Sequence, residues 1–417
     1  MIRKWFQALT RLSAWVRFAQ HSFALTIGNV GLQDLRPKKF GMSAVFHLAI
    51  VLYSSVTVLA QPAGAAFRWD LPDWIPPPAE PAANPMTPAK VELGRHLFYD
   101  RRLSADLTMA CATCHVQSRA FTDGKRTPVG VTGDIAKRNT MSLGNVGYFP
   151  TLTWGNPRLE SLESQALLPI FGQHPVEMGM SGKETLLLSR LRGESRYRVL
   201  FAEAFPDKAR VQPVDLYSLS TITQALASFQ RTLLTFNSNY DRYKYGDDKN
   251  AISPAARRGQ ALFFSGGMGC YQCHGSLYFT DNIRHARMDA AEQGFHNTGL
   301  YNEDGRGAYP PGHTGLAEFT GRAEDMGKFR TPSLRNVALT APYMHDGSIA
   351  TLEEVIRSHY ALKGRAVHAG KKPNPLRSPL IDGFDISDRQ LHDLVEFLKS
   401  LTDESFIRNP KFSDPWK

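Results

Sequence analysis

This 417-residue chain predicts a mainly α fold of two helical units, each wrapped around a short cysteine–histidine motif. Three observations predict it. Cys111-Ala112-Thr113-Cys114-His115 and Cys270-Tyr271-Gln272-Cys273-His274 share the spacing Cys-x-x-Cys-His. All four cysteines of the chain lie in these two motifs. The sequence around each motif also repeats, with a capped helix before it and an amphipathic helix well after it.

The spacing has a chemical meaning. Two such thiols form thioether bonds to the vinyl groups of a haem, and the adjacent histidine is held beneath the iron as its proximal ligand. A redox dithiol or half of a zinc site also uses Cys-x-x-Cys. Neither explains a histidine closing both copies in a chain with no other cysteine. The motifs therefore predict two covalent c-type haems in two cytochrome c-like domains, residues 66–245 and 246–417, joined by long irregular loops. Residues 1–65 form a leader.

The elements follow in order. Phe67 to Pro85 is rich in proline and tryptophan and reads as an extended arm on the surface. Thr87-Pro88 supplies a helix cap with proline at the first position, and Val91, Leu93, Leu97 and Phe98 then keep helical spacing up to the first motif. Ser253-Pro254 opens the second copy, where Gly259, Leu262, Phe263 and Phe264 match Gly94, Leu97, Phe98 and Tyr99. The closing helices carry Ile222, Ala225, Leu226, Phe229 and Leu233 in the first copy. Leu391, Leu394, Val395, Leu398 and Leu401 follow a Ser387 cap in the second. Gly94 and Gly259 lack the side chain that would keep opening and closing helices apart. Residues 240–250, polar and glycine-containing, read as a linker.

The leader is distinct in composition. Lys38 and Lys39 precede an apolar run from about Met42 to Ala60, with small-residue cleavage sites at Ala60 and Ala65. That pattern is a secretory signal. An uncleaved leader is the one route to a membrane that the sequence offers. Covalent c-type haems are attached outside the cytoplasm, which places the protein in the periplasm. Of the formal net charge of +10, residues 1–65 hold +6 and the rest +4. So mild an excess, without a basic-aromatic stripe, gives no reason to expect nucleic acid as a partner.

A haem with two strong axial ligands transfers electrons; one with an empty position binds peroxide. After His115 the next histidine is His174, and no methionine intervenes before Met141. Met141 and Met178 lie in no context that demands ligation. Glu177, just past His174, is either a surface glutamate or a general acid-base near the first iron. The second half offers His359 and Tyr360 side by side in one helical stretch.

Beyond these readings, the chain from about residue 80 to 405 resembles the bacterial diheme cytochrome c peroxidases and their MauG relatives. The likeness rests on residues 93–100, Arg138-Asn139-Thr140, residues 162–167 and 175–179. In the second half it rests on residues 329–336 and 339–347. Leu152-Thr153-Trp154, residues 295–302 and the Leu401-Thr402-Asp403 ending look most like the methanobactin-associated branch, which is encoded beside copper-binding periplasmic partners.

The resemblance implies roles. Trp154 matches the tryptophan between the haems, Gln165 and Pro169 match distal-pocket positions, and Glu177 matches the acid-base glutamate. Asn139, with the carbonyls of Thr340 and Pro342, matches a calcium site, and its hard oxygen ligands suit that ion. The chain departs from peroxidases that carry a distal histidine soon after the first motif, since residues 116–173 contain none. It implies that the first haem binds peroxide without reductive activation and that the second transfers electrons. Counting from Pro342 places the second distal ligand on His359, the nearer anchor; counting back from Lys363-Gly364-Arg365 places it on Tyr360. Met344 is a third candidate. The implied function is oxidation of a side chain, tryptophan to kynurenine, on a copper-binding partner, driven by hydrogen peroxide. Reduction of peroxide to water with electrons from a small redox protein is the alternative. A diheme electron carrier without catalysis is the second.

Overall fold

The computed structural model describes residues 67–365 and 372–417. The leader of residues 1–65 lies outside the described residues. From Ala66 onward the chain forms one compact unit, and no helix among the described residues is long and apolar enough to cross a membrane.

The repeat is built as the sequence predicts. Helix α1 (Pro88–Phe98) starts where the Thr87 hydroxyl accepts from Lys90 N. In the second half α6 (Pro254–Phe263) starts at Ser253, whose hydroxyl accepts from Ala256 N. Between them lie α2 (Leu162–Phe171), α3 (Glu184–Gly193), α4 (Ser195–Ala204) and α5 (Leu219–Arg231). After α6 come α7 (Leu352–Glu354), wound on as a π-helix over Val355–Tyr360, and α8 (Asp388–Ser400). The motif cysteines sit on single helical turns.

Two crossings hold the frame. A Cβ on Gly94 of α1 would lie 1.9 Å from the Ala225 carbonyl of α5, and one on Gly259 of α6 would lie 1.9 Å from the Asp393 carbonyl of α8. Hydrogen at these two positions lets each helix pair meet backbone to backbone. One hydrophobic core gathers around Leu97, Phe98, Ile222, Phe229 and Tyr197, and a second around Phe263, Phe279, Leu394 and Phe397.

Two short antiparallel ribbons lie in the second half. β1 (Asn282–Ile283) pairs with β2 (Glu292–Gln293), and β3 (Phe295–Asn297) pairs with β4 (Lys328–Arg330), with His296 opposite Phe329.

Two elements differ from expectation. The arm is more than a surface strand: Ile75 and Asn84 are buried, Tyr148 donates to the Pro76 carbonyl, and Trp74 stacks on Tyr245 with ring centroids 4.0 Å apart. Proline stiffens it, and its few large side chains pin it. The stretch read as a linker begins as a helix, Asn239–Lys244, because Tyr240 enters the second core and Asp241 forms a buried ion pair with Arg335 at 2.8 Å.

Candidate haem sites

The two motif histidines are prepared alike. His115 Nδ1 donates to the Phe121 carbonyl at 2.8 Å and His274 Nδ1 to the Phe279 carbonyl at 2.9 Å. A hydrogen bond at Nδ1 fixes the tautomer and leaves Nε2 with its lone pair for a metal. Both phenylalanines adopt left-handed backbone, with φ of 62° and 54°. Burial holds both imidazoles below the ordinary histidine range, favouring the neutral form that ligates.

The second motif opens on a cavity of about 410 Å³. Cys270, Cys273 and His274 line it together with Tyr360, Met344, Trp154 and Arg330. Tyr360 sits close enough for both motif sulfurs to act on its phenol, and burial raises its pKa above the ordinary range. His359 is fully buried but does not line this cavity; its Nδ1 donates to the Arg365 carbonyl at 2.9 Å and its Nε2 has no hydrogen-bond partner among the described residues. The π-helix explains the two counts: such a turn carries one extra residue, so spacing from Pro342 runs one short of the residue that faces the cavity.

Arg330 had no role in the sequence reading. Its guanidinium is buried with Nε and Nη1 unpartnered, Nη2 donates to Met141 Sδ at 3.2 Å, and burial lowers its pKa to about 9. An unpaired buried cation is costly, and the carboxylates of a haem are its natural complement. Only packing reveals this, because arginine in a strand is usually solvated. With two sulfurs, an oriented imidazole, a facing phenol and this cation, the second site fits a covalent haem.

The wall of the same cavity holds Asn139, Thr340 and Pro342. Trp154 Nε1 donates to the Asn139 carbonyl at 2.8 Å, which fixes the indole there. Asn139 Nδ2 in turn donates to the carbonyls of Lys125 and Arg126 at 2.9 and 3.2 Å.

Near the first motif lies the Glu177 loop, to which α2 is tied. Gln165 and Pro169 are four residues apart on α2 and so share a face. The Pro169 carbonyl accepts from Met178 N at 2.9 Å, and the Glu177 carbonyl accepts from Val131 N at 2.8 Å, so both sides of the Glu177 loop are pinned. Burial raises the Glu177 pKa, and its carboxylate acts on the thiols of Cys111 and Cys114. Glu177 therefore faces the first motif rather than open solvent. His174, three residues earlier, is exposed.

The sequence model of the di-haem cytochrome c peroxidase family matches residues 88–249. A methylamine utilization protein MauG of Methylophilus methylotrophus is 36% identical over 362 residues, covering 85% of this chain and 95% of that relative. The cytochrome c551 peroxidase of Pseudomonas aeruginosa is 30% identical over 339 residues, covering 80% and 88%. A crystal structure of a MauG-like protein associated with microbial copper homeostasis is 47% identical, with a TM-score of 0.79, and covers 84% of this chain and all of that one. Duplicated haem sites and these likenesses agree: the chain belongs to the di-haem cytochrome c peroxidase and MauG family and is a peroxide-dependent oxidoreductase carrying two c-type haems.

Proposed function

We propose that this periplasmic enzyme uses hydrogen peroxide to oxidise a side chain of a copper-binding partner protein, converting tryptophan to kynurenine. The observation that carries this reading is the 47% likeness, over the full length of the other chain, to the MauG-like protein of copper homeostasis, against 30% to a cytochrome c551 peroxidase. Cys111, Cys114 and His115 would hold one haem, and Cys270, Cys273 and His274 the other.

When bound, the haems supply the two-electron reduction of peroxide and carry the oxidising equivalents. Glu177 takes a proton from peroxide and returns it to the departing oxygen, a role favoured by a carboxyl whose pKa burial has raised. Gln165 and Pro169 shape that pocket. Tyr360 would supply the second protein ligand to the haem held by the second motif, a role supported by its place in the cavity wall. Trp154 relays electrons between the halves, and its bond to the Asn139 carbonyl keeps the indole in register. Asn139, Thr340 and Pro342 would hold a calcium ion through their oxygens, and so stiffen the wall that carries Trp154.

The test is to incubate the haem-loaded enzyme with peroxide and a periplasmic copper-binding protein from the same organism, then map that protein by mass spectrometry. Kynurenine in place of one tryptophan is the expected result. An unmodified partner, with rapid peroxide-dependent oxidation of a reduced cytochrome or cupredoxin, would establish the peroxide-removing alternative instead.

A further inference from the structure

An aromatic cluster leads away from the second cavity. Phe329 and His345 line the cavity and stack with centroids 3.7 Å apart and planes 12° from parallel. The Tyr301 ring lies 6.1 Å from His345, 5.4 Å from Tyr309 and 6.0 Å from the partly exposed His313. Trp154 packs against the same cluster. At its far end the Tyr301 hydroxyl donates to Asp346 Oδ2 at 2.6 Å, with both residues buried. Given the peroxide-driven oxidation described above, we propose that Tyr301 is a redox-active residue, storing one oxidising equivalent as a neutral tyrosyl radical with Asp346 as its proton acceptor.

Charge explains why this tyrosine is suited. Taking an electron from a buried phenol that keeps its proton leaves a cation in low dielectric, which is costly. Here the phenolic O–H bond breaks as the electron leaves, and the proton forms a new O–H bond on Asp346. The pair passes from one negative charge to none, so oxidation relieves a buried charge. The electron is one of the two that reduce hydrogen peroxide to two waters. Asp346 keeps its second oxygen on Ser348 N at 3.1 Å. Arg126 stands 3.9 Å away with a largely exposed side chain, and the better-buried Arg138 also acts on it, but neither guanidinium bonds its carboxylate as Arg102 bonds Asp100.

Two other buried tyrosines lack this combination. Tyr309 donates to the side-chain carbonyl of Asn297 at 2.8 Å, which is no base. Tyr197 does donate to a carboxylate, Asp100, at 2.6 Å. The Arg102 guanidinium bonds both oxygens of Asp100, at 3.1 and 3.2 Å, and opposes its protonation. The rings beside Tyr197 are Phe201 and Trp416, neither of which lines the second cavity.

The haem-loaded enzyme is mixed with hydrogen peroxide in the absence of any partner, freeze-quenched and read by electron paramagnetic resonance. A radical whose hyperfine structure collapses on ring deuteration of tyrosine is expected. Tyr301→Phe should lose it, Tyr309→Phe should keep it, and Asp346→Asn should diminish it. Since Asp346→Asn disturbs a buried carboxylate, Tyr301→Phe carries the decision, with the haem spectrum reporting its folding. A tyrosyl signal that survives Tyr301→Phe, or its absence from wild type while peroxide is consumed, overturns the role of Tyr301 alone. If wild type does not consume peroxide, the peroxide-driven reading falls and Tyr301 with it.

Discussion

The two motif neighbourhoods match on one side and diverge on the other. On the histidine side they are near copies: Nδ1 donates to a phenylalanine carbonyl in left-handed backbone, and the flanking helices cross at a glycine. Away from the histidine the first has a half-buried glutamate on a pinned loop, and the second a tyrosine on a π turn with a buried arginine. The matching parts lie on the helical frame and the short loop after each motif. The diverging parts lie on long connections that the frame leaves free to vary. The frame thus repeats one holder for a haem motif, and the loop chemistry makes the two surroundings unequal.

The contrast is tested most severely at Glu177. Glu177→Gln keeps shape but cannot shuttle a proton, so peroxide cleavage should slow by about 10²–10⁴, with the second haem's ferric spectrum unchanged. Stopped-flow kinetics would show it, and a wild-type rate would remove Glu177 from the chemistry. The pH profile adds a sign. The base form is lost as pH falls through the raised pKa, so the acid limb should sit above the ordinary carboxylate range and vanish in the glutamine variant. For stability the folded state holds this proton more tightly than the unfolded state. Stability therefore declines as pH rises from the unfolded towards the folded pKa, and Glu177→Gln should be somewhat more stable than wild type at neutral pH.

On the second side, Tyr360→Phe should convert that haem from low to high spin. His359→Ala should leave ligation intact while costing about 2–5 kcal/mol of stability, as large-to-small changes in a core do. Absorption spectra and denaturant unfolding separate the two. A spin change in His359→Ala but not in Tyr360→Phe would reverse the assignment.

The shared frame has its own test. A methyl at Gly94 or Gly259 meets a carbonyl at 1.9 Å and a phenylalanine Cβ at 2.9 Å in both crossings. Overpacking should cost about 1–3 kcal/mol, more than the helix propensity that alanine returns, about 1 kcal/mol. Gly259→Ala should cost more, because Asp393 beneath it also holds Arg258 through two bonds of 2.7 Å. Equal losses would mean that the ion pair shifts with the helix.

How much was legible follows from the same division. The haem motifs, helix caps and both glycine crossings were visible because each rests on local spacing or on a repeated residue. Tyr360 and His359 were not separable, since a π turn changes which neighbour lines the cavity without changing the composition. Arg330 and the Tyr301–Asp346 pair were invisible as sites, because each depends on contacts between residues distant in sequence. Family resemblance pointed to Glu177 and Trp154, while their burial and bonding came only from the fold.

The smallest structural disturbance bears on whether the unequal halves act together. Trp154→Phe keeps an aromatic ring in the cavity wall and gives up one hydrogen bond, to the Asn139 carbonyl. A net loss of about 1 kcal/mol in stability is expected from that bond, and near-conservative volume adds little. Function should respond out of proportion. Phenylalanine is far harder to oxidise than indole, so a relay through position 154 would fail while peroxide still reacts beside Glu177. Rapid-scan spectra after one equivalent of peroxide should then show the first haem responding and the second lagging, with partner modification reduced steeply. Prompt oxidation of the second haem in the variant would mean that Trp154 only packs the wall. Charge would then cross by another route, and the inequality of the two halves would be one of chemistry without dependence on this indole.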